Sequence, residues 1–157
     1  MTVRNILLAA ALLAAPAGAC EAPSGGAAVL VSAHGLKDRV GNVRVAIYRA
    51  LESEMLASGK YVTRIDVPVT AAGDVPVCAT VPVAGDYVVT VLHDRARNGK
   101  LDIFQDGVGF SNNPRLKLAK PPVERVKVTL APGSVTPMNI TMNYLRGLSV
   151  GPVRPRP

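Results

Sequence analysis

A two-residue alternation of side chains, repeated in short segments along most of the chain, is the feature that most restricts the fold. In one such segment Val43, Val45 and Ile47 lie at every second position. Successive side chains of a β-strand point to opposite faces, whereas a helix has a period of 3.6 residues and would spread these three around its axis. The segment therefore predicts a strand with one face turned to a core.

Further segments with the same period, separated by turn-forming residues, predict the other strands. They are residues 29–33, 61–70, 77–81, 87–93, 126–130 and 140–144. Pro68 places the later part of 61–70 at a sheet edge or a bulge, because proline lacks the N–H that an inner strand needs. Residues 87–93 are apolar on both sides, which indicates a central strand.

These segments predict an all-β fold, a single β-sandwich of immunoglobulin-like or transthyretin-like type with six to seven strands. One short helix is expected, since residues 50–58 have helix-like apolar spacing and Gly59 is a suitable C-cap. The domain would span residues 27–145. A loose leader over 20–26 would precede it, and a disordered, basic, proline-rich tail over 146–157 would follow it.

The first 19 residues have the parts of a secretory signal peptide. Arg4 precedes an uncharged apolar run from Ile6 to Ala15, and Ala17 and Ala19 supply small residues before a cleavage site. The run is too short to span a bilayer. We therefore expect an exported protein, periplasmic or secreted, with no transmembrane helix in the mature chain.

Cys20 and Cys78 are the only cysteines, and Cys20 would become the first residue after cleavage. An even cysteine count in an exported protein favours a disulfide between them. Such a bridge would stabilise the fold by about 3 to 4 kcal/mol in the chain-entropy model. The alternative is lipid attachment to Cys20, for which the upstream match is partial because Ala17 stands where a lipoprotein signal usually has Leu.

The formal net charge is +7, but its distribution excludes a nucleic-acid-binding surface. Lys and Arg are scattered over strands and turns, and aromatic residues make up only 4% of the chain. Nucleic-acid-binding domains concentrate basic residues and interleave them with aromatic rings. A spread positive charge gives solubility, or weak and salt-sensitive association with anionic envelope surfaces.

The candidate site is the loop from His93 to Asn113. Its first part has the outline of a calcium loop, with oxygen side chains Asp94, Asn98 and Asp102 at positions one, five and nine. Asp106 would add a carboxylate from outside that outline. A divalent cation, calcium by preference, is therefore a candidate cofactor, and no other cofactor is expected.

The calcium outline departs from the full pattern at several positions. Ala96 stands where a ligand belongs, Gln105 replaces the bidentate Glu, and Arg95 and Arg97 add positive charge. In the alternative interpretation the same carboxylates and amide accept hydrogen bonds from backbone N–H groups of a structured turn.

The loop contains no catalytic motif, and we assign no catalytic residue. His93 and Asp94 are neighbours on a strand and would point to opposite faces, which argues against a catalytic pair. A zinc site would need His34 to converge with His93, without supporting ligand spacing. Gly107 and Gly109 are expected to adopt backbone angles that other residues avoid.

The second part of the loop places Phe110 before Ser111, Asn112 and Asn113. In one interpretation Phe110 is a plug over one end of the sandwich, fixed by Asn side chains that bond to the backbone. In the other, the ring and the amides form a surface for a sugar or a peptide.

The order of these residues resembles the exported bacterial family catalogued as domain of unknown function 2141, over about residues 28–144. The resemblance implies a small periplasmic or secreted β-sandwich and brings no activity with it. At residues 95–98 the family usually reads Glu-Asn-Gly-Asn, so this chain lacks possible oxygen ligands there. The matching positions are Asp94, Asn98, Gly99, Asp102, Phe110, Asn112 and Asn113.

The sequence thus predicts an exported, non-enzymatic binding or structural module whose loop from His93 to Asn113 contacts a ligand. Envelope carbohydrate or protein is the candidate partner. The alternative is a divalent-cation-binding module, or a cation-dependent hydrolase, that uses Asp94, Asp102 and Asp106.

Overall fold

A computed structural model describes residues 19–153. Ten strands and one helix follow each other along the chain. The first five strands are β1 (Ala27–His34), β2 (Asn42–Arg49), β3 (Tyr61–Pro68), β4 (Val75–Val81) and β5 (Gly85–Asp94). The later elements are β6 (Gly107–Phe110), α1 (Val123–Val126), β7 (Lys127–Leu130), β8 (Val135–Thr141), β9 (Asn143–Arg146) and β10 (Ser149–Gly151).

The strands form two sheets. The smaller sheet has the order β4-β1-β8, in which β1 and β8 are parallel. The larger sheet has the order β10-β9-β6-β5-β2-β3, with β7 also paired to β5. The predicted all-β sandwich is therefore confirmed, although it contains ten described strands where the alternation predicted six or seven. The additional strands are short, and a segment of three or four residues is too brief to display a period.

Strand β5 is the centre of the larger sheet. One edge pairs along its length with β2, from Asn42 opposite Asp94 to Arg49 opposite Tyr87. The other edge is divided, because Gly85 to Val88 pair with β7 and Thr90 to His93 pair with β6. The apolar character of residues 87–93 on both sides correctly predicted this central position.

Val89 lies between the two partners on the divided edge of β5, where neither β6 nor β7 reaches it. Ser111 takes their place: its N–H donates to the Val89 carbonyl at 2.8 Å, and its hydroxyl oxygen accepts the Val89 N–H at 3.1 Å. The same hydroxyl donates to the carbonyl of Val126. A buried serine thus completes the hydrogen bonding that the division of this edge interrupts.

The main core lies between the sheets, and a smaller cluster covers the opposite face of the larger sheet. Val29, Val31 and Val45 are fully buried in the main core, as the alternation predicted. The smaller cluster consists of Met55, Val88, Phe110, Leu116, Val123 and Val126. Strand β5 therefore packs on both faces.

The expectation of a helix over residues 50–58 is wrong. The segment makes a single turn, in which the Leu51 carbonyl accepts the N–H groups of Glu54 and Met55, and Leu56 then adopts a φ of 64°. Only Met55 of its apolar side chains is buried, while Leu51 and Leu56 are exposed. A helix would have had no surface for its apolar stripe to pack against. The short helix lies instead at Val123–Val126.

The last predicted strand, over residues 140–144, is divided between the sheets. Strand β8 belongs to the smaller sheet and β9 to the larger one, and Met142 lies between them with its N–H bonded to the His34 carbonyl at 2.8 Å. Ser149–Gly151, which the proline content assigned to an irregular tail, form β10 against β9. None of these three residues is a proline, because the prolines of the tail begin at Pro152, so their backbone N–H groups remain available for pairing.

Cys20 is disulfide-bonded to Cys78 on β4, as predicted, across a sequence separation of 58. Within residues 19–153 no helix is long and apolar enough to cross a membrane. The predicted signal peptide, residues 1–19, lies almost wholly outside the described residues.

Reduction of the disulfide should lower the free energy of unfolding by about 3 to 4 kcal/mol, because it releases a long loop in the unfolded chain. Urea unfolding with and without reductant measures this difference. The double variant Cys20→Ser/Cys78→Ser should match the reduced protein and show no response to reductant. An unchanged midpoint after complete reduction would contradict the stabilising role of the bridge.

Candidate functional site

The loop over residues 95–106 joins β5 to β6 and is held by two buried carboxylates, one at each end. Asp94 accepts the backbone N–H groups four and five residues further on, at 3.1 and 2.7 Å. Asp106 accepts those of Arg95 and Asp102, both at 2.9 Å. The two aspartates therefore fold the loop back on itself.

Every side-chain oxygen of the four residues predicted as metal ligands accepts an N–H group within the loop. These residues are Asp94, Asn98, Asp102 and Asp106. In the described part of the chain, no group of three or more His, Cys, Asp or Glu side chains is placed to hold a metal ion. The carboxylates and the amide thus act as the alternative interpretation expected, as acceptors in a structured turn, and a cation would have to displace these bonds.

His93 is completely buried and belongs to a short chain of hydrogen bonds. The Lys37 N–H donates to the Tyr144 hydroxyl at 2.9 Å, and the hydroxyl lies 2.7 Å from His93 Nδ1. His93 Nε2 lies 2.8 Å from the Val40 carbonyl, which can only accept. Nε2 therefore carries the proton, and Nδ1 accepts the hydrogen of the tyrosine hydroxyl.

Asp38 and Arg95 form an ion pair on the outer side of these hydrogen bonds, next to His93. The guanidinium group donates to Asp38 at 2.9 and 2.5 Å, and this hydrogen bonding holds the pKa of Asp38 below its usual value. Burial lowers the pKa of His93, although the Val40 carbonyl and the Asp38 charge oppose the shift. Burial also raises the pKa of Tyr144 to about 12. Both rings are neutral at pH 7, and both His93 nitrogens are engaged, so His93 is not a free base.

Gly107 and Gly109 are needed for space, and the expectation of unusual backbone angles is wrong for both. A Cβ at Gly107 would lie 2.4 Å from the Tyr144 ring, and one at Gly109 would lie 2.6 Å from Ile140. Such approaches are far shorter than van der Waals contact. The two glycines allow β6 to lie directly under Tyr144 and Ile140.

Phe110 and the two asparagines after it have the arrangement expected of a plug. Phe110 is buried in the smaller cluster. The Asn112 side-chain amide donates to the Lys127 carbonyl at 2.9 Å. Asn113 bonds to the edge of β8 in both directions, as donor to the Asn139 carbonyl at 2.7 Å and as acceptor from the Thr141 N–H at 2.8 Å. These amides are occupied by backbone groups.

A groove of about 620 Å³ lies on the outer face of the larger sheet. Residues paired directly across neighbouring strands point to the same face, and the pairing aligns Arg44, Leu92, Val108 and Asn143 across β2, β5, β6 and β9. This row and the Ala46 row beside it form the floor. Leu101 and Ile103 of the loop form one wall, and residues 116–121 form the other.

Exposed apolar side chains border this groove. Leu101 and Ile103 are each 50% exposed, and Leu118 on the opposite wall is 63% exposed. A cluster of large apolar side chains around a concavity is typical of a binding surface. The groove is therefore the structural candidate for ligand binding.

Sequence reasoning located the loop but missed the groove and the partners of His93. Tyr144 was predicted only as an alternating strand residue, and Asp38 was not considered. The outward row on β2, which includes Arg44 and Ala46, was predicted only as the face opposite Val43, Val45 and Ile47. The apolar character of both sides of β5 was the available signal that this outer face is also covered.

The free energy of unfolding should fall as the pH is lowered below about 6.5. Because burial lowers the pKa of His93 in the folded state, the unfolded chain takes up a proton first, and protonation then favours unfolding. The slope should reach at most about 1.4 kcal/mol per pH unit for this one group. Urea titrations between pH 7.5 and 5.5 measure it.

His93→Gln should remove this slope, whereas His34→Gln should retain it, since His34 lies at the surface. Equal slopes in the two variants would show that another group is responsible.

A comparison with protein-family models matched residues 31–137 to the family described as "Uncharacterized protein conserved in bacteria (DUF2141)". Searches among curated proteins and among solved structures gave no match. The matched region covers most of the chain, from β1 into β8, and includes the loop and the strands β2, β5 and β6 of the groove floor. This chain belongs to the bacterial family DUF2141, as its sequence resemblance indicated.

Proposed function

We propose that this protein is an exported, non-enzymatic binding module that holds a small, largely apolar ligand in the groove on the outer face of the larger sheet. The observation that carries the proposal is the convergence of exposed Leu101, Ile103 and Leu118 around one concavity of about 620 Å³. This volume is within the range of small-molecule sites, which are mostly apolar and largely preformed.

An apolar ligand fits this protein better than envelope carbohydrate. A sugar needs an exposed aromatic face and free hydrogen-bonding groups. Phe110 is buried, and the exposed ring of Phe104 does not line the groove. The side-chain amides of Asn112 and Asn113 are bonded to backbone groups. The groove instead offers side chains such as Leu92 and Val108, for which contact with an apolar ligand replaces contact with water.

The proposal of a non-enzymatic role is supported by the hydrogen bonding of His93 and Ser111. Both His93 nitrogens are engaged in the interior, and the Ser111 hydroxyl bridges Val89 and Val126. Neither side chain is available to a substrate. The competing cation-binding function would require release of the bonded carboxylates, and a calcium-dependent rise in Tm that Asp102→Asn abolishes would favour it over our proposal.

Export is supported by two independent features. Residues 1–19 have the composition of a secretory signal peptide. The Cys20–Cys78 disulfide is of a kind that persists in oxidising compartments and is rare in the cytosol. A sulfur in a disulfide cannot also carry a thioether-linked lipid, so we favour a periplasmic or secreted protein over one anchored through Cys20.

Leu92→Gln should weaken binding of the uncharged apolar fluorophore N-phenylnaphthylamine by roughly tenfold or more. The change removes the burial of a leucine side chain, worth about 1.5–3 kcal/mol, from the groove floor. Leu30→Gln is the matched control, since Leu30 is 40% exposed on the other sheet. Fluorescence titration measures both variants. Equal losses, or no saturable binding by the unmodified protein, would refute the groove site.

Intact mass spectrometry of the protein purified from its native host tests export. We expect a chain that begins at Cys20 and accepts two alkyl groups only after reduction. A diacylglyceryl-sized increment would instead place the protein on a membrane through Cys20, and retention of residues 1–19 would contradict cleavage.

A further inference from the structure

The cations around the groove differ in whether they are already neutralised. Arg44 on the floor bonds to Asp66 at 2.8 Å and to the Gly99 carbonyl at 2.7 Å. Lys120 on the wall bonds to the Glu52 carbonyl at 2.8 Å and lies 3.4 Å from its carboxylate. Arg44 therefore supports the loop from below, and Lys120 connects the segment 116–121 to the turn that contains Glu52.

Lys117 is the exception among the cations that line the groove. It is exposed on the wall formed by residues 116–121, next to Leu118, and takes part in no ion pair with any residue between 19 and 153. Asp106 is the one carboxylate in the lining, and both its oxygens accept backbone N–H groups of the loop. The groove thus combines an apolar interior with an exposed lysine at its side that forms no ion pair within residues 19–153, while the one carboxylate of the lining is buried against the loop backbone.

The surface charge beside Lys117 is positive, whereas the charges of the loop are mixed. Arg115 precedes Lys117 on one wall, and Arg97 and Lys100 lie in the loop that forms the other. All three are exposed, and none forms an ion pair within the described part of the chain. An anion that approaches the wall formed by residues 116–121 therefore meets a positive potential, whereas Asp102 offsets part of the positive charge of the loop.

We propose that the ligand is a single acyl chain that bears an anionic head group, with the chain in the groove and the head group beside Lys117. This proposal rests on the proposed function and names its ligand class. A wholly apolar ligand would leave the positive wall without a partner, and a small polar anion would leave Leu101, Ile103 and Leu118 in water. An amphiphile of this kind satisfies both.

Two sources share this chemistry, a free long-chain acid and an anionic membrane lipid. Phe104 is relevant to binding of a membrane lipid. It directly follows Ile103 in the loop, is 76% exposed and does not line the groove. An exposed ring beside a lipid-binding groove is suited to contact with a bilayer.

Three single-chain amphiphiles of similar chain length test the proposal: decanoate, decyl maltoside and decyltrimethylammonium. Each is titrated below its micelle concentration into the full, disulfide-bonded protein at low ionic strength, and calorimetry gives the affinity. We expect decanoate to bind most tightly and the cationic amphiphile most weakly. High salt should reduce the difference, because the charges are at the surface.

Lys117→Glu and Lys60→Glu change the net charge of the protein equally, but Lys60 is exposed away from the groove. Lys117→Glu should weaken decanoate binding by roughly fivefold or more, and Lys60→Glu by less than about twofold. Neither should change decyl maltoside binding by more than about twofold. Heteronuclear NMR on the methyl groups of Leu92 and Leu116 verifies that each variant is folded and that the chain lies in the groove.

Equal affinity for the three amphiphiles, or equal effects of the two lysine variants, would overturn the head-group assignment and leave the apolar groove intact. No binding of any amphiphile would overturn the proposed function as well. Vesicles of phosphatidylglycerol separate the two sources: cosedimentation that Phe104→Ser abolishes supports the membrane lipid, and binding of decanoate without cosedimentation supports the free acid.

Discussion

The hydrogen bonding and burial of strand β5 are the constraints on which the rest of the structure depends. A strand in the middle of a sheet must satisfy its backbone groups along both edges, and β5 is also covered on both faces. Its second edge is shared by β6 and β7, which are too short to meet. Ser111 completes the hydrogen bonding at Val89. The chain between β6 and β7 therefore crosses the outer face of the sheet, where residues 116–121 form a wall of the groove.

The loop after β5 forms the other wall because its polar atoms are used internally. Asp94 and Asp106 accept backbone N–H groups on both sides of the loop, so little hydrogen-bonding capacity remains for a ligand. The apolar residues between them, Leu101 and Ile103, stay at the surface instead of joining the core. A pattern of carboxylates and amides that suggests metal binding in the sequence thus has a different effect in three dimensions: it organises the backbone, and Leu101 and Ile103 are left at the surface of the groove.

The sequence predicted the features that depend on local periodicity and missed those that depend on register. Alternation found the long strands, and the cysteine count found the disulfide. The prediction of a helix failed at residues 50–58, where the apolar spacing is helix-like but only Met55 has a surface to pack against. The groove floor was unpredictable for a related reason. Arg44, Leu92, Val108 and Asn143 come from four strands, and only the pairing of those strands aligns them. Tyr144 and His93 meet for the same reason, across 51 positions.

The groove and its positive side would contribute differently to binding. Burial of each methylene is worth about 0.8 kcal/mol, so a chain of several carbons supplies most of the affinity. An exposed ion pair contributes about 0.2–1 kcal/mol and is screened by salt. The apolar floor would therefore determine whether an amphiphile binds, and Lys117 would determine which head group is preferred. The same magnitudes explain why a net charge of +7 is uninformative by itself: a positive charge discriminates between ligands only where an apolar surface beside it holds them in place.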